Sequence, residues 1–273
     1  MKKVITPIVV STLAAIFAFA LGKHSREFLG VPLPWVLVPY SLLVQIIAFI
    51  PALLNNTEKY YDLTGSLTFL SITFIALLTN PSISLEQFIA GMMVIVWAGR
   101  LGSFLFLRIL KVKEDSRFRE IKKTKIRFFY AWLIQGLWVV ITMSPLLAVN
   151  TSASVPESGR LNAIEIIGIL VWILGMSIEV ISDRQKSNFN DDPNNKGKFI
   201  SVGLWAYSRH PNYVGEIVLW LGATIFSWTS LQGWQNITLI CPIFVYLLLS
   251  KLSGVPLLEK KAADRWGKDA SYQ

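Results

Sequence analysis

Chemistry is most concentrated between Gly203 and Trp220, GLWAYSRHPNYVGEIVLW, where a basic polar segment becomes the head of an apolar helix. Pro211 suits the first turn of that helix, since the N–H it lacks is one a helix start leaves unpaired and its fixed φ is already helical. Ser208, Arg209 and His210 stand immediately before it. A helix N-terminus carries about half a positive charge and free N–H groups, so with a cation beside it this junction suits an anion such as a phosphate. One turn in, Asn212 and Glu216 share a face at i and i+4, with Tyr213 beside them. An ordinary loop-to-helix junction has the same spacing, so the surroundings must decide.

Four further places set polar groups at or inside apolar runs, where lipid tolerates them only with a partner or a function. Glu179 and Asp183 lie at i and i+4 on one face at the end of an apolar run, with Lys186 one turn on. A carboxylate near a helix C-terminus opposes the macrodipole and calls for a cation or a ligand hydroxyl; a solvated helix end with a local ion pair is the plainer alternative. Phe189 to Lys198, FNDDPNNKGK, is rich in turn signals and offers Lys196 and Lys198 to a phosphate, or to solvent alone. Arg100, three residues after Trp97, sits deep in an apolar span, with Arg108 and Lys111 beyond it. The 108–127 segment as a whole also fits a basic loop lying on anionic lipid headgroups. Finally, EKYYDLTGS, Glu58 to Ser66, places Tyr61 and Asp62 where a phenol and an acid could polarise a buried carbonyl; a capped helix start has the same composition.

The elements that position these groups are membrane helices. Of 273 residues, 53% are hydrophobic and 16% charged, with a mean hydropathy of +0.51, whereas soluble domains carry about 25% charged residues. The apolar excess falls in blocks near 1–21, 34–54, 63–80, 86–108, 128–149, 161–182, 212–231 and 234–252, each close to the roughly 20 residues that cross a bilayer. Met1-Lys2-Lys3 and the run after it are shaped like a signal sequence, but no small-residue cleavage site stands out, so it is read as a retained first helix. Nine Lys or Arg lie between Arg108 and Arg127, and 183–211 and the tail after Lys251 are also basic, whereas the links 81–85, 150–160 and 232–233 carry only Arg160. Alternating these sides puts both termini and the three basic segments in the cytoplasm. The net charge of +9 is thus read as topology rather than nucleic-acid binding. One cysteine, Cys241, and two histidines, His24 and His210, exclude an internal disulfide and a multi-cysteine or His-rich metal site. No GxGxxG opening a helix after a strand, GxxxxGK[ST] or GxSxG is present, so a nucleotide, if bound, is not held by a soluble Rossmann or P-loop module.

GLWAYSRHPNYVGEIVLW, with ISDRQKSNFNDDPNNKGKF before it and SGVPLLEKKAADRWGKDASYQ after it, resembles the steroid 5α-reductase C-terminal family, and more closely its bacterial-type DUF1295 branch. EKYYDLTGSLTFLS and the arginine-bearing segment ending KEDSRF resemble it too, so the likeness covers roughly 57–273. It implies an all-α polytopic transmembrane helix bundle, a single integral membrane domain of seven conserved helices with an extra N-terminal helix in 1–30. It also implies an NADPH-dependent reductase acting on a C=C bond conjugated to a carbonyl. Carried over by position, cofactor contacts fall on Asn212, Glu216, Asp183 and Glu179, and on Arg100, Arg108 and Lys111. Glu259, Lys260 and Arg265 are the tail candidates, and Lys186, Lys198, Arg209, His210 and Tyr213 complete the expected cofactor set. Two catalytic positions depart from the animal steroid enzymes. Trp97 stands where they place a catalytic tyrosine, and their carbonyl-binding glutamate falls near Leu63, leaving Asp62 as the nearest acid beside Tyr61. In those enzymes the position of Glu179 is Asn.

The expected partners are a lipophilic steroid-, sterol- or prenoid-like substrate entering from the bilayer, and membrane lipids, with neither nucleic acid nor an obligate protein partner. A bacterial inner membrane suits the Lys-rich start. RHPNYVG is also similar to the RHPxYxG stretch of isoprenylcysteine carboxyl and phospholipid methyltransferases, which bind S-adenosylmethionine. Glu216 directly after Gly215, the Asp183 helix end and the NDDPNNKGKF loop favour the reductase. A lipid-binding or scaffold protein without catalysis is the third reading, and Trp97 is its best support.

Overall fold

Long apolar runs have one economical fold in lipid, the helix, because it satisfies every backbone N–H and C=O internally. The computed structural model of the chain describes residues 2–115, 117–154, 159–252, 254–267 and 269. Its helices are α1 (Lys2–Gly22), α2 (Leu33–Leu54), α3 (Tyr61–Leu78), α4 (Leu85–Val112), the short α5 (Phe118–Ile121), α6 (Lys125–Thr151), α7 (Ala163–Asp191), α8 (Pro211–Ser227), α9 (Cys241–Leu247) and α10 (Gly254–Trp266). A two-residue antiparallel pair, β1 (Glu27–Phe28) and β2 (Val31–Pro32), is the exception.

Among the described residues, seven helical stretches are long and apolar enough to cross a membrane, and the protein is an integral membrane protein. The sequence predicts eight blocks. Seven of them start within a few residues of these stretches, and the eighth, 212–231, becomes α8, a helix of only 17 residues. It tightens into a 3-10 turn at Trp228–Ser230 and stops before Gly233, which takes a positive φ of 51°. The last block is not one regular helix. It runs as a 3-10 helix (Gly233–Ile240), α9 and a π-helical turn (Leu248–Leu252), with α10 beyond it.

Two helices continue past their apolar blocks. α4 reaches Val112, so Arg108 and Lys111 lie on helix, and α7 reaches Asp191. Asp183 therefore sits two turns before the end of α7. The expectation that it closes the helix against the macrodipole is corrected, because that effect fades within the last turn.

The chain packs as two compact units, Met1–Glu165 with Ser227–Leu239, and Ile166–Phe226 with Ile240–Gln273. In the first, α1, α2, α3 and α4 pack against α6, which is buried along most of its length. Outward faces carry large apolar side chains such as Ile47, Ile50, Phe74 and Phe88, which in a membrane face lipid.

Arg26, in the turn after α1, ties this unit together at one end. Its guanidinium donates to the carbonyl of Asn150 at 2.6 Å, to the carbonyl of Ala76, and to Thr79 Oγ1 at 3.3 Å. One cation thus serves the carbonyl-rich ends of both α3 and α6, where a positive charge is favoured. Arg26→Ala is expected to lower stability by about 2–3 kcal/mol, the scale of lost charge-assisted hydrogen bonds to carbonyls left buried. Thermal unfolding in detergent checks this, and Arg26→Lys should recover only part of the loss because lysine lacks the planar fork.

Candidate functional site

The second unit is built on a seam of small residues. Along α7 the residues Gly168, Trp172, Gly175, Glu179 and Ser182 recur every three or four positions and are all buried. Along α8 the same spacing gives Gly215, Leu219, Gly222 and Phe226, also buried. The two faces meet antiparallel. A Cβ on Gly175 would collide with the backbone of Leu219, and one on Gly168 with the backbone of Phe226. A Cβ on Gly215 would stand 2.5 Å from the Glu179 nitrogen and 2.8 Å from the Gly175 carbonyl oxygen. Only glycine permits backbones so close, which is how small residues work between membrane helices.

This contact decides the site. Because Gly215 lies against the turn of α7 that carries Glu179, the start of α8 with Asn212 and Glu216 is set beside two buried acids, Glu179 (2% exposed) and Asp183 (6%). Asn212, Tyr213 and Glu216 are half-buried.

The turn leading into α8 is held by α7. Trp205 is buried and its indole N–H donates to the Ser182 carbonyl at 3.0 Å. Gln185 Oε1 accepts from the Leu204 backbone N–H at 3.0 Å. The Lys186 ammonium lies 4.3 Å from the centre of the Trp205 ring, a cation–π contact. Gly203 needs its positive φ of 62° here, and any side chain would collide with Gln185.

Beyond this turn, Arg209 and His210 close on Glu259 of α10. Arg209 Nη1 lies 2.9 Å from Glu259 Oε2, and His210 Nε2 lies 2.7 Å from Oε1. The His210 ring also stacks on Tyr213, centroids 5.7 Å apart. Burial pushes the His210 ring below the ordinary histidine range, and the adjoining carboxylate reverses only part of that shift. A neutral His210 facing a carboxylate carries its proton on Nε2, and Nδ1 is buried with no partner among the described residues. Lys196, Lys198, Lys260 and Arg265 are exposed, with Arg265 over the ring of Trp266 at 5.0 Å. The end of the tail stretch, 270–273, lies outside the described residues.

The other expected residues belong to the first unit. Arg100 is half-buried over the Phe104 ring at 5.1 Å, Arg108 is exposed above the same ring at 6.0 Å, and Lys111 is exposed. Trp97 is buried edge-on to Phe69, centroids 5.0 Å apart, and beside Trp138. The Tyr61 hydroxyl donates to the Ala131 carbonyl at 3.0 Å. Asp62 accepts from Arg117 at 3.3 Å, and Arg117 Nε donates to Asp115 at 2.7 Å. Glu58 accepts from Lys122 at 2.5 Å and from the Asp115 backbone N–H at 2.8 Å. Sequence reasoning missed Glu58, Arg117 and Lys122 as partners, because nothing local links residues more than 50 positions apart. The seven-residue glycine spacing of α7 and α8 was a readable signal.

The DUF1295 family model, described as a protein of unknown function, matches residues 48–273. The 3-oxo-5-alpha-steroid 4-dehydrogenase 1 of Bos taurus is 37% identical over 67 residues, 24% of this chain and 26% of that protein. The proteins of the same name from Mus musculus (38% over 66 residues) and Homo sapiens (37% over 68 residues) match 24% and 25% of this chain and 26% of their own length. The chain spans about a quarter of the length of the curated relatives it matches. No solved structure matches it.

Proposed function

The chain belongs to the DUF1295 family, and from that premise, with the anion held on the turn into α8, we propose that it is an NADPH-dependent membrane reductase. Its substrate is a lipophilic steroid-, sterol- or prenoid-like molecule, entering from the bilayer, with a C=C bond conjugated to a carbonyl. The curated relatives with local similarity bear a name for oxidoreduction of 3-oxo steroids, which supports this class of reaction.

The observation that carries the reading is the donor set of the second unit. Arg209 and His210 already hold a two-oxygen anion, the Glu259 carboxylate, at the start of a 17-residue helix, as a phosphate would require. The buried Glu179 and Asp183 are acceptors suited to ribose hydroxyl or carboxamide N–H groups, and Asn212 and Glu216 stand at the same helix start. These residues fit a dinucleotide. Arg209 and His210 would take its phosphate, and Asn212, Glu216, Glu179 and Asp183 its ribose or carboxamide. NADPH, when bound, supplies the hydride; the protein contributes binding, orientation and electrostatics. In the first unit, the expected catalytic pair is engaged within the protein, Asp62 accepting from Arg117 and the Tyr61 hydroxyl donating to the Ala131 carbonyl. Both termini and the basic segments face the cytoplasm in this reading, in a bacterial inner membrane.

Asn212→Ala and Glu216→Ala are each expected to weaken NADPH binding about tenfold or more, since a hydrogen bond involving a charged group contributes about 1.5–3 kcal/mol. Titration of the purified protein with NADPH and with S-adenosylmethionine, read by thermal shift, tests the reading. Stabilisation by S-adenosylmethionine instead of NADPH would make it a methyltransferase, and unchanged NADPH affinity in both variants would remove the site.

A further inference from the structure

Glu259 stands where a ligand anion belongs. Both of its oxygens are engaged, one by Arg209 at 2.9 Å and the other by His210 at 2.7 Å, so this one carboxylate bridges the two basic groups of the turn. The helix that carries it has no buried residue, and its last nine residues, LEKKAADRW, are largely charged. Several of its other fastenings are polar or local. The Trp266 indole N–H donates to the Gly197 carbonyl at 2.7 Å, the Trp266 ring meets Phe199 edge-on at 6.0 Å, and Gly254 packs against the Tyr213 ring. A segment held by partly exposed polar contacts opens at low cost compared with one held by a core. Glu259 is about a third exposed and Arg209 about half, so solvent screens their attraction.

We infer that Glu259 is an internal competitor for the anion site. Its carboxylate fills the Arg209–His210 pair until a phosphate-bearing ligand displaces it, and α10 is the latch released by that exchange. The role differs from the direct cofactor contact that the resemblance implies for Glu259. A carboxylate that touches the cofactor strengthens binding, whereas one that occupies the cofactor's donors weakens it. The exchange is favoured because a diphosphate group presents more charge and more acceptor oxygens to the same donors, and it sits at the positive end of the α8 dipole. The identity of the ligand as a dinucleotide rests on the reading above; the competition itself requires only a phosphate.

The test is Glu259→Gln, which keeps shape and removes charge, titrated with inorganic pyrophosphate and with NADPH alongside the unaltered protein. Both ligands are expected to bind the variant roughly five- to tenfold more tightly, the scale of one partly screened charge pair. Trypsin should cut faster at Lys260 and Lys261 in the variant, and in the unaltered protein once pyrophosphate is added. Trp266→Phe, which loosens α10 from its far end without touching the anion site, should shift affinity in the same direction and keeps the test open if Glu259→Gln fails to fold. Equal or weaker pyrophosphate binding by the variants overturns the inference, as does no pyrophosphate binding by any of the proteins. Tighter pyrophosphate binding with no NADPH binding leaves the latch standing and removes the dinucleotide reading.

Discussion

Gly175→Leu is expected to prevent α7 and α8 from pairing, with a large loss of folded protein. A Cβ there meets the Leu219 backbone rather than the end of a flexible side chain, so the helices themselves must separate. Overpacking costs about 1–3 kcal/mol when side chains can give way, and a collision with backbone places Gly175→Leu above about 4 kcal/mol, the range of exceptional single mutations. Gly175→Ala should cost less but still exceed about 1 kcal/mol. Gly99 is the control. Nothing lies within 4 Å of a Cβ added there, so Gly99→Ala should be neutral or stabilise by up to about 1 kcal/mol through helix propensity. Melting in detergent and the yield of monodisperse protein measure all three. Equal melting temperatures for Gly175→Leu and Gly99→Ala would mean that the glycine seam is not what sets Asn212 and Glu216 beside Glu179.

The second large effect is expected at Glu58, in the first unit. The segment between α4 and α6 folds back on the start of α3. Lys113 ends α4 in the left-handed region with φ 69°, and Phe118 is buried beside Phe49, Tyr61, Phe128 and Trp132. Glu58, 4% exposed at its side chain, receives both Lys122 and the Asp115 N–H. Glu58→Ala leaves the partly buried Lys122 without its counter-charge and the Asp115 N–H without its acceptor, a cost of about 3 kcal/mol, the lower end for breaking a fully buried pair. Glu58→Gln should cost less because an acceptor remains. Combining it with Lys122→Met should recover much of the loss, a coupling that a double-mutant cycle reads directly. Glu120, exposed and paired with the exposed Lys123, is the comparison: Glu120→Ala should stay within about 0.5 kcal/mol.

This strap carries a pH signature. Burial pulls the Asp115 carboxyl upward, but hydrogen bonds to Arg117 and its charge more than reverse this, leaving it below the ordinary aspartate range. A depressed carboxylate contributes its full stability above the unfolded value near 3.9 and loses it as pH falls through the folded value. The strap's contribution should therefore be flat from about pH 5 to 8 and decline only in strong acid.

The sequence by itself determined the solvent and the class of fold. Runs of apolar residues near bilayer length admit helices and little else, so the all-α membrane architecture was legible from hydropathy alone. So was the start of α8 at Pro211, because proline and the polar residues before it act locally. The seven-residue spacing of Gly168 and Gly175, and of Gly215 and Gly222, was also present in the chain and marked two faces able to approach closely. Helix ends were less legible. Hydropathy reports where lipid ends, and α4 and α7 continue as polar helix beyond it.

Tertiary structure decided the partnerships. Nothing local tells Gly215 that it will meet Glu179, or Arg117 that it will hold Asp62. Nor does anything near Glu259 show that it will sit on Arg209 and His210, 50 and 49 positions away. Charges attract whatever opposite charge the packing brings within reach, and packing is a property of the whole helix set. The sequence therefore named the residues able to bind an anion, and the folded second unit showed that one of the chain's own carboxylates lies against them.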